Sequence, residues 1–220
     1  MITAFYANFP NGIAAHDSVW EVCESSPKAK LKGLMLHLSK RYYSIAPALY
    51  SNWQSMLKGA QIDKKVADFW FEDANCDGIA LCDEASRCHV VLVELKSTFS
   101  SQDIYKAAKQ IVFSWLKIHM WLSLCPKYTP KKVKITAIIA CLPPKDPAGF
   151  LDKVRRDEML GKLSQDLTFT QSLYKTRQKV FQLRDFIKQE VQLSEMLVDI
   201  PFNVHLQLAD TVESENCLLY

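Results

Sequence analysis

Asp77, Glu94 and Lys96 are the residues in this 220-residue chain whose types and spacing could do chemistry. They lie in the stretch DGIALCDEASRCHVVLVELK, residues 77–96, where two apolar runs flank a polar segment. The pattern reads as strand, hairpin and strand. Side chains two apart on a strand share a face, so Glu94 and Lys96 stand side by side with Leu92 deeper on the same surface. Val91, Val93 and Leu95 turn to the other. Opposite charges at the end of a mostly apolar strand are costly to bury without a reason. A divalent metal is such a reason, since magnesium takes oxygen ligands, keeps several waters and binds through one or two carboxylates.

The arrangement of Asp77, the hairpin and Glu94-Leu95-Lys96 resembles the PD-(D/E)XK nuclease superfamily, the restriction-endonuclease-like fold. The proline that usually precedes the first acid is replaced by Cys76. The resemblance implies an α/β fold with an αβββαβ core, a mixed sheet flanked by helices. It also implies phosphodiester hydrolysis, in DNA ahead of RNA. Asp77, Glu94 and the Leu95 backbone carbonyl would hold Mg2+ or Mn2+, and Lys96 would contact the attacking water and the phosphate. Several branches of the family place a glutamine on the helix after this strand, and Gln110 matches that place. The RecB-like branch has a tyrosine where this chain has Ser114, which speaks against that branch. Two-metal variants add an acid from the first helix. Glu21 is the preferred candidate here and Glu24 the other. The competing expectation is a catalytically inactive relative that binds nucleic acid or a partner protein in a defence or repair assembly.

The elements that must position these residues follow from periodicity. A short helix is expected over about 14–24. A second is expected from Lys28 to about Ala46, because Leu31, Leu34, Met35, Leu38, Tyr42 and Ile45 recur three and four apart. Lys28, Lys30, Lys32, Lys40 and Arg41 ride on it, with no acid from Lys28 to Ala60. Lys28, Lys32, Lys40 and Arg41 are therefore candidate nucleic-acid contacts through counterion release. The aromatics Tyr42, Tyr43, Tyr50 and Trp53 could stack on bases or serve the core. A strand is expected over 65–71, where Asp68 is a rival first acid. The hairpin-tip acids Asp83 and Glu84 read as solvated.

After the motif, Ser100 with Asp103 three residues on forms a capping box. The helix it starts runs to about Leu122, with Ile104, Ala108, Ile111, Trp115, Ile118 and Leu122 on one face. Residues 134–142 read as a strand buried on both sides, which completes a crossover unit. The core is expected to span about 14–145 of a single domain covering 1–220. A C-terminal helical extension over 146–220 would carry helices at 150–163 and 172–191 and a final strand at 202–208.

Composition sets the outer limits. Hydrophobic residues make up 49% and charged residues 23%, ordinary for a globular protein, and the net charge is +3. Seven cysteines without paired spacing fit a reducing compartment. Cys76, Cys82 and Cys88 recur every six residues, which is not the usual zinc spacing. Cys23, Cys125, Cys141 and Cys217 lack the spacing of an iron–sulfur set. His16, His37 and His89 are alternative ligands or bases. No membrane span or signal peptide is legible, so the expected location is cytoplasmic or nucleoid-associated, or nuclear in a eukaryote. A homodimer or a protein partner stays open.

Overall fold

The computed structural model describes residues 2–47, 49, 75–84, 87–186, 194–209 and 214–219. The architecture is built outward from β6 (Arg87–Lys96), which is buried without interruption from Cys88 to Leu95. β5 (Gly78–Glu84) lies antiparallel to it with Gly78 opposite Val93, and α2 (Ser101–Leu122) follows. β7 (Val133–Cys141) then returns parallel to β6. This hairpin, crossover helix and parallel strand are the ones the sequence pattern predicts.

Four more strands complete a mixed seven-stranded sheet in the order β1, β4, β5, β6, β7, β9, β8. They are β1 (Ile13–His16), β4 (Tyr42–Ile45), β8 (Gln178–Gln182) and β9 (Pro201–Leu208). A second sheet joins β10 (Ser214–Leu219), β3 (Gly33–Leu38) and β2 (Val19–Cys23). The remaining α-helices among the described residues are α1 (Ile2–Asn8), α3 (Pro147–Met159), α4 (Gln165–Thr176) and the short α5 (Glu195–Val198). No helix among the described residues is long and apolar enough to cross a membrane.

The two faces of the large sheet bury different partners, as the two-residue period of a strand requires. Ile79, Leu81, Val90, Leu92, Ile135 and Ile139 pack with Ile104, Ile111, Trp115 and Ile118 of α2. Ala80, Val91, Val93, Leu95 and Ile138 pack instead with Trp20, Val22, Leu34 and Leu36 of the small sheet. The start of α2 is fixed by the predicted cap. The Asp103 amide donates to Ser100 Oγ at 3.1 Å, and Ser100 Oγ donates to Asp103 Oδ2 at 2.7 Å.

Four expectations are corrected. The helices expected over 14–24 and 28–46 are strands β1 to β4. In β2, Trp20 and Val22 are buried while Val19, Glu21 and Cys23 are exposed, which is strand alternation. In β3, the buried Leu34 and Leu36 alternate with Met35 and His37. A loop leucine and two consecutive strands happen to space their apolar residues like a helix. In the C-terminal segment the expected final strand is present as β9, but the segment also carries the unexpected strand β8, which pairs with β9 at the edge of the main sheet. The expected helix over 172–191 stops when Arg177 takes a left-handed backbone at φ 60° and its amide closes on the Leu173 carbonyl. Finally, the hairpin-tip acids are engaged: Asp83 Oδ2 accepts from the Ile2 amide at 3.1 Å, and Glu84 accepts from Lys40 at 2.8 Å. The strand expected over 65–71, with Asp68, lies outside the described residues, as do Tyr50 and Trp53.

At Gly78 the two sheets approach each other closely. A Cβ there would stand 2.8 Å from both γ-carbons of Val22 and 2.9 Å from the Trp20 ring. Overpacking of this kind costs about 1–3 kcal/mol. Gly78→Ala is expected to lose that much in urea unfolding. Adding Val22→Ala should cost less in the Gly78→Ala background than alone, and strictly additive losses would contradict the contact.

Candidate active site

The site lies at the end of the large sheet where β5 begins and β6 finishes. Because Gly78 pairs with Val93, Asp77 falls opposite Glu94, and directly opposed residues share a face. That face is the one covered by α2. Asp77 Oδ2 accepts the Leu95 amide at 2.7 Å. An extended residue points its amide and carbonyl to the same edge, so the Leu95 carbonyl also faces the Asp77 side.

Lys96 reaches back along its own strand, donating to Glu94 Oε1 at 2.5 Å. It also donates to Gln110 Oε1 at 2.6 Å, and Gln110 Nε2 donates to the Asn75 carbonyl at 3.4 Å. The structure therefore brings together Asp77, Glu94 and Lys96 of one hairpin with Gln110 of the helix that follows it. Gln110 reaches Lys96 because it flanks the buried stripe of α2.

Glu94 is 2% exposed, and its Oε2 has no hydrogen-bond partner among the described residues. Burial first, and the neighbouring Asp77 charge second, push its carboxyl up to about 8 against the pull of Lys96. Asp77 is pushed up to about 6, chiefly by burial and with the Glu24 charge adding to it, against the bond from Leu95. A buried carboxyl raised by burial and by a neighbouring acid, with one oxygen unsatisfied among the described residues, is a poor resting arrangement for anions alone. The pair suits a hard cation. No group of three or more His, Cys, Asp or Glu side chains able to hold a metal occurs among the described residues. This donor set matches magnesium or manganese, which need few protein ligands, better than a closed zinc cage.

Several residues of the site were not legible from the motif. Ser114 Oγ accepts the Cys76 amide at 2.8 Å, and the buried Lys117 ammonium donates to Asn75 Oδ1. Gln110, Ser114 and Lys117 form a polar stripe at helical spacing beside the apolar one. Together they hold the Asn75–Asp77 segment from the helix side. The available signal was that stripe, with Ser114 and Lys117 interrupting an otherwise apolar helix.

Other expected residues fall elsewhere. Glu21 is exposed on β2, opposite in alternation to the core-facing Trp20 and Val22. Glu24, just past the end of that strand, is the acid whose charge acts on both Asp77 and Glu94. Lys40 and Arg41 sit between β3 and β4, near the far end of β5, paired with Glu84 and Asp17. Lys28 and Lys32 belong to the loop between β2 and β3. Tyr42 is fully buried and bonds His89 Nδ1 at 2.8 Å, while His89 Nε2 meets Thr136 Oγ1 at 2.8 Å. Burial drives the His89 imidazole down to about 4, as befits a neutral ring tying β4, β6 and β7 together. His16 Nε2 meets Ser44 Oγ at 2.8 Å, and His37 lies on β3.

With this geometry in hand, the chain was compared with protein-family models, curated proteins and solved structures, and none matched. The fold and site define an α/β protein with a mixed seven-stranded sheet and a buried carboxylate pair.

The carboxylate pair makes stability depend on pH. Glu94 binds its proton more tightly folded than unfolded. Its contribution is complete below its ordinary value of 4.5 and is lost as pH rises through about 8. In chelator, Glu94→Gln should melt above the parent at pH 9, with the gap closing toward pH 5. A chain of this size gains about 2–4 °C per kcal/mol. A gap that does not change with pH would contradict the buried, protonatable carboxyl.

Proposed function

We propose that this protein is a metal-dependent nuclease of the PD-(D/E)XK, restriction-endonuclease-like type, hydrolysing phosphodiester bonds in DNA ahead of RNA. The observation that carries the reading is Glu94 Oε2, buried without a partner beside Asp77, with Lys96 and Gln110 bonded in sequence next to it. The hairpin, the crossover helix and the parallel return strand support it, since the resemblance expects the two acids and the lysine on a unit of this kind.

Asp77, Glu94 and the carbonyl of Leu95 are the groups that would hold Mg2+ or Mn2+. The ion would supply Lewis-acid activation of water and screening of phosphate charge. Lys96 is the cation placed to meet the pentavalent phosphorus centre, where negative charge grows on the non-bridging oxygens. Its ammonium is aimed by two acceptors, Glu94 Oε1 and Gln110 Oε1, so little reorganisation is needed when a phosphate arrives. Gln110 in turn is braced by the Asn75 carbonyl, and Lys117 braces Asn75. The water's oxygen would bond to phosphorus and give up a proton to solvent, the bond to the leaving ester oxygen would break, and that oxygen would depart with a proton taken from solvent.

Purified protein incubated with plasmid, linear duplex, single-stranded DNA and RNA tests this directly. Cleavage is expected with magnesium or manganese and not with chelator. Asp77→Ala, Glu94→Ala and Lys96→Ala should each lower the rate by about 100-fold or more, the scale of losing one transition-state contact. Gln110→Leu should cost about 10–100-fold, as supporting residues do. Cleavage that survives the first three changes would overturn the assignment. Nucleic-acid binding without cleavage by the parent protein would favour the inactive binding protein instead.

A further inference from the structure

We infer that the loop of residues 24–32, between β2 and β3, guides a polynucleotide strand across the site. Lys28 and Lys30 would hold the phosphates next to the one that meets Lys96. The inference rests on the nuclease reading of that site and assigns the surface by which its substrate is held.

The loop is built rather than slack. The Glu24 amide donates to the Lys32 carbonyl at 2.9 Å and closes its base. Glu24 Oε1 accepts the Ser26 amide at 2.9 Å, and the Lys32 ammonium folds back onto the Pro27 carbonyl at 3.1 Å and the Ser26 carbonyl at 3.4 Å. Leu31 is fully buried in the cluster between the two sheets. Its insertion ties the loop to the body, and Lys28 and Lys30 on either side of Ala29 stay exposed.

The loop is also fastened beside the site. The Lys30 amide donates to Ser97 Oγ at 2.8 Å, and Ser97 directly follows Lys96. At the loop's other end, the Glu24 charge acts on Asp77 and Glu94. A loop fastened through the Lys30 amide to the residue after Lys96 carries Lys28 and Lys30 beside the site. Lys28 and Lys30 make no side-chain ion pair among the described residues, so their charge is available to an anion.

The opposite flank has matching chemistry. On α2, Lys106 is exposed one turn before Gln110. Lys109 lies over the Tyr105 ring at 5.1 Å. With Gln102, Gln165 and Asp166 these residues line a groove of about 470 Å³. Cations on the small-sheet side and on the helix side of β6 thus bracket Lys96. A polyanion crossing the end of the sheet would meet positive charge before, at and after the carboxylate pair. Lys40 and Arg41, though basic, are paired with acids at the far end of β5 and do not belong to this track.

The test is binding of fluorescent single-stranded DNA, duplex DNA and RNA by anisotropy, in chelator and across a salt series. Each phosphate contact contributes about 0.7 to the slope of log affinity against log salt for a single strand and about 0.9 for a duplex. Lys28→Ala with Lys30→Ala should therefore weaken binding and flatten the slope by roughly 1.4–1.8. Lys28→Arg with Lys30→Arg should restore both. Lys106→Ala with Lys109→Ala should act in the same direction, and Lys40→Ala with Arg41→Ala should leave the slope as in the parent. If the parent binds and the first pair changes nothing, or if the Lys40 and Arg41 pair is the one that matters, the loop assignment is overturned. If binding depends on the loop but no metal supports cleavage, the loop assignment stands and the nuclease reading falls.

Discussion

A carboxylate buried at the end of the central strand is the constraint on which this structure turns. Glu94 sits where an apolar residue would cost nothing, beside a second acid, with one oxygen bonded to Lys96 and the other to no described group. Everything nearby is arranged around that penalty. The Leu95 amide steadies Asp77, Gln110 shares Lys96 with Glu94, and α2 supplies the wall that keeps water from relieving the strain. A fold selected for stability alone gains nothing from such a pair, because desolvation of charge outweighs the attraction it brings. On the proposed nuclease reading, the penalty serves as preorganisation for a cation and for the phosphate it would neutralise.

The part of the fold legible in the sequence is the part whose burial is complete. Strand β6 is apolar on both faces, its partner β5 begins at an acid and a glycine, and α2 announces its start with Ser100 and Asp103. Such segments have one reading because no alternative buries them as well. The region from Ile13 to Ile45 is different. Its strands are four to six residues long and half-buried, so a few leucines govern the apparent period. Leu31, Leu34 and Leu38 fit a helix by count, but Leu31 belongs to a loop and Leu34 and Leu36 to one strand face. The edge strand β8 was missed for the same reason, since only Phe181 in it is buried.

The site divides along the same line. Asp77, Glu94 and Lys96 are local to one hairpin, and their faces follow from counting residues. Gln110 could be placed because the helix phase was right. The preference for Glu21 over Glu24 rested on reading that segment as a helix, and it is a strand. Alternation turns Glu21 away from the body and leaves Glu24 at the mouth. Basic residues close in sequence were likewise separated, since a turn between β3 and β4 carries Lys40 and Arg41 to the other end of the sheet.

The three residues Cys76, Asp77 and Gly78 are gripped from two layers at once. Ser114 takes the amide of the first from the helix side, and Trp20 and Val22 press on the third from the small sheet. The carboxylate between them is therefore located by the spacing of the whole sandwich rather than by its own strand. A change in how the small sheet seats on the large one would reach Asp77 as a displacement, with no residue of the site altered. The tolerances of the domain's packing and the tolerances of its chemistry are set by the same three-residue joint.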